Sequence, residues 1–375
     1  MVKKSHNQQK KPVLPFVSIC TPTFNRRPFI QSMFECFKNQ DYPKSRIEWI
    51  IVDDGTDKIR DLIATSNIPQ IRYFEVEHKM TLGAKRNYMH THAKGSIIVY
   101  MDDDDYYPPE RISHAVERLT ENPKAMCAGA SELYIYFKHI KTMYQCGPYG
   151  PNHATAGTFA FRRTLLDETT YEDGASLAEE KAFLKNYTVP FVQLDPLKTI
   201  LVFSHEHNTF DKRRLLDNPH PQFFKPSDKT VDTFIRRDSE NGIKKFFMED
   251  IEGLLAKYEP GEAKMKPDVL AQIKKIDAER AKMAQLQQQQ QAAGAPAAGQ
   301  IMLERPGQPP LVLSNNDIVH LVKQQQGHIE QLNKRIGELE QMLQQSQMQI
   351  LGLQGASKTA SKSASKSDPE VVVNL

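Results

Sequence analysis

The sequence predicts an α/β fold with a mostly parallel central sheet covered by helices on both faces, and three observations carry that prediction. Apolar runs of strand length alternate with segments of helical periodicity over the first 120 or so residues, the pattern of crossover units. Three of those runs stop abruptly in polar clusters, TPTFNRR, DDG and DDDD. All 32 aromatic residues lie at or before Tyr258, so the 117 residues from Glu259 onward lack the side chains that give a compact core much of its area. One substantial domain, residues 16–258, is expected, large enough to enclose a site.

Residues 1–15 read as a polar, disordered lead. FVSICTPT (16–23) is a buried strand that turns at Pro22. PFIQSMFECFKNQ (28–40) places Phe29, Ile30, Met33, Phe34 and Phe37 at helical spacing, with Pro28 suited to a first turn. RIEWIIV (46–52) is a second strand, stopped by Asp53-Asp54-Gly55, and IRYFEVE (71–77) a third. GAKRNYMHTHA (83–93) is a short helix, SIIVYM (96–101) a fourth strand and PERISHAVERLTEN (109–122) the next helix. Ligands of such sheets bind outside the carboxyl ends of the strands. The three polar clusters should therefore meet on one edge.

Composition excludes several classes. The chain has 49 Lys+Arg against 46 Asp+Glu, a net +3 that does not suit a nucleic-acid-binding domain. No apolar run reaches the length of a membrane span, and the N-terminus lacks the features of a secretory signal, so a cytoplasmic location is expected. Cys20, Cys36, Cys127 and Cys146 show no CxxC spacing and read as reduced thiols. Neither GxGxxG after the first strand nor GxxxxGK[ST] occurs, which disfavours a dinucleotide dehydrogenase and a P-loop NTPase.

Four adjacent carboxylates, Asp102 to Asp105, repel one another at a strand end. A divalent cation such as Mn²⁺ or Mg²⁺ resolves that repulsion, because hard ions take oxygen ligands and often bind carboxylates together with substrate phosphates. A solvated acidic loop is the competing explanation. Asp53 and Asp54 suit a ribose or the N–H edge of a base, or simply a turn. Arg86 carries a planar head suited to phosphate, or to a surface salt bridge. Glu179 and Glu180, at an expected helix start, are candidate general bases, although acids are also favoured there by the helix dipole. His205 and His207 follow the apolar ILVF; strand alternation would put both on one face as metal or diphosphate ligands, or as structural histidines.

Beyond residue 258, charge-rich helical sequence leads to a low-complexity stretch, Gln287–Gln291 and AAGAPAAGQ, within an expected linker at 259–317. A heptad follows over 318–353. Val322, Ile329, Ile336, Leu343 and Ile350 fall at a, and Ile318, Gln325, Leu332, Leu339, Ser346 and Leu353 at d. β-Branched residues at a with Leu at d favour a parallel two-stranded coiled coil, hence a homodimer; one amphipathic helix docked on the domain is the alternative. Residues 354–375 read as a disordered tail.

Taken together, VSICTPTFNR, WIIVDDGT, LGAKRN, GSIIVYMDDDDYYPPERI and AEEKAFL resemble glycosyltransferase family 2, in order and spacing, over roughly residues 16–210. The resemblance implies a GT-A fold and transfer of a sugar, with inversion, from a nucleotide-sugar that is usually UDP-linked. It assigns Pro22, Thr23 and Phe24 to the nucleotide, Asp54 to the base, and Arg86 to the arginine of the ARN-like element. Asp102, Asp103 and Asp104 map to the DXD-like motif, with Asp104 as the direct metal ligand. Glu180 is the preferred base beside Glu179; the family more often has Glu-Asp there. A later histidine completes the metal site, with His205 preferred over His207. GPYGPNHATAGTFAFRR (147–163) is expected to line the sugar and acceptor pocket. A sugar-phosphate nucleotidyltransferase lacks support, because TPTFNRR is not a Gly-rich loop; a coiled-coil scaffold with an inactive transferase-like domain is the non-enzymatic alternative. The identity of the sugar and of the acceptor is not written in these motifs.

Overall fold

The computed structural model describes residues 13–292 apart from 178, 209 and 218, together with 302–303, 311–312, 317 and 319–339. β1 (Val17–Thr23), α1 (Ile30–Lys38), β2 (Ile47–Asp53), α2 (Arg60–Thr65), β3 (Ile71–Glu75), α3 (Leu82–His92) and β4 (Ile97–Tyr100) follow in alternation. β1 pairs in parallel with β2 and β4, and β2 with β3, so their carboxyl ends share one edge.

The chain continues through α4 (Arg111–Glu121), β5 (Cys127–Gly129), β6 (Leu133–Phe137), β7 (Thr142–Cys146), β8 (Ala160–Arg162), α5 (Glu180–Phe183), β9 (Phe191–Gln193), β10 (Leu201–Ser204) and β11 (Phe224–Pro226). β8 runs antiparallel to β4 and β5, giving the order β3-β2-β1-β4-β8-β5-β9. The expected parallel-rich α/β sheet is present.

Strand alternation divides the core between the two faces. Ile19, Trp49, Ile51 and Val99 pack with Phe34 and Phe37 of α1 and Ile112 and Leu119 of α4. Cys20, Ile50, Ile98 and Tyr100 pack with Met89 of α3 and Phe183 of α5. Trp49 stacks on Phe37 at 4.6 Å and donates its indole N–H to Thr21 Oγ1 at 2.9 Å, so its buried polar atom is satisfied. All four cysteines are buried and unpaired.

A second sheet, β10-β6-β7-β11, packs against α6 (Val231–Phe234), α7 (Asn241–Lys245) and the helical turn Phe246–Asp250, with Phe203 stacked on Phe247 at 4.2 Å, while α8 (Ile251–Leu255) packs Ile251 and Leu255 on Phe29. Tyr106 joins the sheets: it exchanges two backbone hydrogen bonds with Leu201, which holds the acidic run against the start of β10.

The first compact unit extends through Glu279, well past Tyr258 and into α9 (Pro267–Ala292). The second unit, from Arg280, contains a short antiparallel pair, Met302–Leu303 with Leu311–Val312, and a helical stretch over 319–339. Residues 1–12 of the expected 1–15 lead, the part of the low-complexity stretch after 292, the seam positions Ile318, Leu343, Ser346, Ile350 and Leu353, and the tail at 354–375 lie outside the described residues, whereas Gln287–Gln291, expected in the flexible linker, continue α9.

Candidate active site

An open cleft lies at the shared edge of β1, β2 and β4. Pro22, Phe24, Arg86, Asp102, Asp103 and Asp104, all singled out from the sequence, line it. Thr23 closes β1, and its carbonyl accepts from Lys85 Nζ at 3.1 Å. The same ammonium pairs with Asp54 Oδ1, while Asp54 Oδ2 accepts from the Met80 N–H at 2.6 Å. Both Asp54 oxygens thus lock the strand ends and the approach to α3 together.

The acidic run follows directly from β4. Its reversal is held by the Tyr107 hydroxyl, which accepts from the Asp102 N–H at 2.8 Å. From α4, the fully buried Arg111 donates to the carbonyls of Tyr100, Thr158 and Phe159 at 3.1, 2.9 and 2.8 Å. It thereby ties the end of β4 to the turn carrying Gly157. A Cβ at Gly157 would stand 2.7 Å from Asp102 Oδ2, so the turn passes the carboxylate at a distance only glycine allows.

Each carboxylate meets a different environment. Asp104 is 3.0 Å from Arg26 Nη2 and 3.5 Å from His205 Nε2. Burial would raise its pKa, but Arg26 and His205 outweigh burial and hold it well below the usual range. Asp103 is pushed up to about 7 by burial and by Asp104; Asp102 and Asp105 are raised chiefly by burial. Asp102 Oδ1, Asp103 Oδ2 and Asp105 Oδ1 are buried without hydrogen-bond partners. Orphaned, desolvated carboxylate oxygens beside a neutral imidazole suit a hard divalent cation. Among the described residues, no three His, Cys, Asp or Glu side chains converge into a preformed cage. Asp102, Asp104 and His205 are the side chains that could hold such a cation in part.

The histidines differ from the alternating-strand expectation. β10 stops at Ser204, and His205 and His207 occupy the turn after it. Asn208 fixes that turn, accepting from the His205 N–H at 2.9 Å and placing its amide nitrogen 2.8 Å from His205 Nε2. His205 faces Asp104. His207 offers its carbonyl to Arg26 at 2.7 Å, while its ring lies toward Tyr258. Burial pushes both imidazoles down to about 4, so they are neutral near pH 7.

Arg86 lies over the Tyr100 ring at 4.2 Å, and its Nε donates to Glu179 Oε1 at 3.1 Å. Its Nη1 is buried and unpartnered. Glu180 opens α5, as expected; burial and the adjacent Glu179 raise its pKa. Glu179 thus positions Arg86, while Glu180 has the raised basicity of a proton acceptor. Of the 147–163 segment, Gly157 approaches Asp102, and no residue of the segment lines the cleft, contrary to the expectation. Tyr149 and His153 instead form a surface row of rings with Phe223 and Tyr187, at centroid spacings of 4.9 to 5.3 Å.

Sequence reasoning did not single out Arg26, Lys85, Lys266 or Asp268, all of which touch this cleft. Arg26 was legible in TFNRR and Lys85 in GAKRN, as cations directly beside named motifs. Lys266 and Asp268 carried no local signal.

Residues 18–177 match the family model described as glycosyl transferase family 2. A putative colanic acid biosynthesis glycosyl transferase, WcaA, of Escherichia coli is 33% identical over 26% of this chain and 36% of its own length. The poly(ribitol-phosphate) β-N-acetylglucosaminyltransferase TarS of Staphylococcus aureus is 27% identical over 28% of this chain and 19% of its own length. The chain thus spans about a third or less of these relatives. Among solved structures, S. aureus TarS 1–349 with UDP-GlcNAc is similar at 19% identity and a TM-score of 0.40, over 51% of this chain and 59% of that one. The mannosyltransferase PcManGT of Pyrobaculum calidifontis, with GDP-Man and Mn²⁺, gives 14% and 0.43 over 69% and 86%. The motifs from Pro22 to Asp105 gathered on this sheet edge lie within the stretch that matches glycosyl transferase family 2.

Proposed function

We propose that the chain is a metal-dependent, inverting glycosyltransferase that moves a sugar from a nucleoside diphosphate donor, UDP-linked in the first instance, to an acceptor hydroxyl. The observation that carries this reading is the set of orphaned carboxylate oxygens of Asp102, Asp103 and Asp105 beside the Asp104–His205 pair, on the cleft edge where Arg86 also points. A Mn²⁺ or Mg²⁺ ion held by Asp104 and His205, with Asp102 in support, would neutralise charge on the departing diphosphate. Arg86, fixed by Glu179 and Tyr100, offers Nη1 to the same developing charge without reorganisation. Phe24 and Pro22 present an apolar wall for the nucleotide. Glu180 takes the acceptor's proton as its oxygen attacks the anomeric carbon from the face opposite the diphosphate, which accounts for inversion. The name of the S. aureus relative, an N-acetylglucosaminyltransferase, supports the same class of reaction.

The acceptor is a hydroxyl-bearing molecule, and a second copy of the chain is proposed as partner through the heptad helix. Among the described residues no helix is long and apolar enough to cross a membrane. A donor panel read as UDP or GDP release with Mn²⁺ tests the proposal. Release that depends on Mn²⁺ and disappears in Asp104→Ala is expected. No release and no Mn²⁺-dependent nucleotide binding across the panel would refute transfer, and unchanged turnover in Asp104→Ala would refute the metal assignment.

A further inference from the structure

The segment 259–272 lies beyond both the last aromatic residue, Tyr258, and the family-matched stretch that ends at residue 177. It stays on the domain nonetheless, anchored on both sides. At its start, the Tyr258 hydroxyl donates to Asp57 at 2.8 Å, and Asn25 Nδ2 donates to the Pro260 carbonyl at 2.8 Å. Gly261 passes so close that a Cβ would lie 2.6 Å from His207 Nδ1 and 2.9 Å from the Asn25 carbonyl oxygen. At its end, Asp268 pairs with Lys79 at 2.5 Å and accepts from Ser176 Oγ at 2.9 Å. Gln272 accepts from the Ser176 N–H and donates to the Gly174 carbonyl, both at 3.0 Å.

Between these anchors sits Lys266. It is only 7% exposed and lines the cleft together with Arg26, Asp103 and Asp104, its Nζ 6.0 Å from the Phe24 ring centroid. Taking an ammonium out of water costs several kcal/mol unless anions answer it, and the carboxylates of Asp103 and Asp104 on the same cleft wall act on Lys266 in that sense. A segment whose only task was to lead into α9 would keep that group in solvent, where lysine ordinarily sits. The anchors also matter: they fall on Asn25 and Asp57 beside the ends of β1 and β2, and on the loops that precede α3 and α5. The segment therefore bridges the loops after β1 and β2 to the loops that precede α3 and α5.

We propose that residues 259–272 form a strap that completes the donor site, with the Lys266 ammonium binding the diphosphate of a nucleoside diphosphate. The proposal rests on the donor reading of the cleft given above. A lysine suits this task as a compact charge with three rotatable donors, able to follow non-bridging phosphate oxygens. It assigns to the strap a contact with phosphate, not with the base or ribose.

The test uses the full-length chain with Mn²⁺ and compares UDP, or GDP if it binds tighter, with the corresponding nucleoside. Affinities are read by calorimetry and by ligand-observed NMR, which reports millimolar binding. Lys266→Met should weaken the diphosphate about tenfold or more, the value of a charge-assisted hydrogen bond, and leave the nucleoside within about twofold. Lys266→Arg should restore most of the diphosphate affinity, and Asp268→Asn, which loosens the anchor, should weaken it in the same direction. Equal losses for diphosphate and nucleoside, or no loss in Lys266→Met, overturn the strap's role while leaving the donor reading intact. A wild-type chain that binds neither UDP nor GDP overturns both.

Discussion

Glu179 and Glu180 are neighbours in the chain with opposite surroundings. Glu179 is buried against Arg86, whereas Glu180 is half-buried, and its pKa is raised by burial and by the charge beside it. Glu180→Gln should cut turnover by roughly 10²–10⁴, the usual contribution of a general base, while donor affinity stays unchanged in a nucleotide titration. Glu179→Gln should weaken donor binding as well, because it frees the guanidinium that Glu179 aims. Equal effects of both substitutions on binding and turnover would refute this division. His90 yields a separate prediction beneath the same arginine: its Nε2 lies 2.7 Å from the Tyr100 hydroxyl, and burial pushes it down to about 3. Because the folded pKa lies below the ordinary value of about 6.5, His90 contributes stability above pH 6.5 that is lost as pH falls toward 3. By pH 4 the loss is on the order of 3 kcal/mol, seen as a falling melting temperature. His90→Gln should flatten that slope; an unchanged slope would show that His90 is not the responsible group.

At the scale of elements, Gly157 makes the most direct prediction. Gly157→Ala inserts a methyl group 2.7 Å from Asp102 Oδ2, so the carboxylate must move. Turnover should fall about tenfold at an almost unchanged melting temperature, as a small misplacement at a reacting centre implies; full activity would place Asp102 outside the chemistry. The strands that carry Thr23, Asp53 and Tyr100 were legible because each is a buried apolar run that ends at a polar cluster, and parallel pairing through helical crossovers then brings the three ends to one edge. The turn after β10 was not legible. LVFSHEH keeps an alternating pattern past the true strand end at Ser204, and only the Asn208 amide, bonded back to His205, reveals the turn. Lys266 was hidden for another reason. Its environment is set by its neighbours in the strap, Pro260 bonded to Asn25 and Asp268 to Lys79 and Ser176, partners 92 to 235 residues apart in sequence that no local window encodes. Aromatic content marked where core-forming area runs out, but polar anchoring carries the first unit on to Glu279.

For the whole molecule, the second unit presents an exposed apolar seam. Over 319–339 the chain is helical, and Val322, Ile329, Leu332, Ile336 and Leu339 are 50 to 54% exposed. These are consecutive a and d positions, interrupted among the described ones only by Gln325, and they form one continuous stripe rather than scattered surface apolars. Arg335 is occupied by Glu338 of its own helix at 2.9 Å, an i,i+3 pair that supports the helix without covering the stripe. In the proposed homodimer a second copy of the same helix would offer the matching seam, with β-branched a positions favouring two parallel strands. Light scattering should therefore give twice the 42.8 kDa chain mass at micromolar concentration. The pair Ile329→Glu with Ile336→Glu should give the single-chain mass, because like charges would face one another across the seam. Since the carboxylates, Arg86 and Glu180 all lie within the first unit, turnover per chain should survive this conversion. A wild type that runs as a monomer would refute the dimer, and a monomeric variant without activity would mean that the catalytic unit depends on the paired helices.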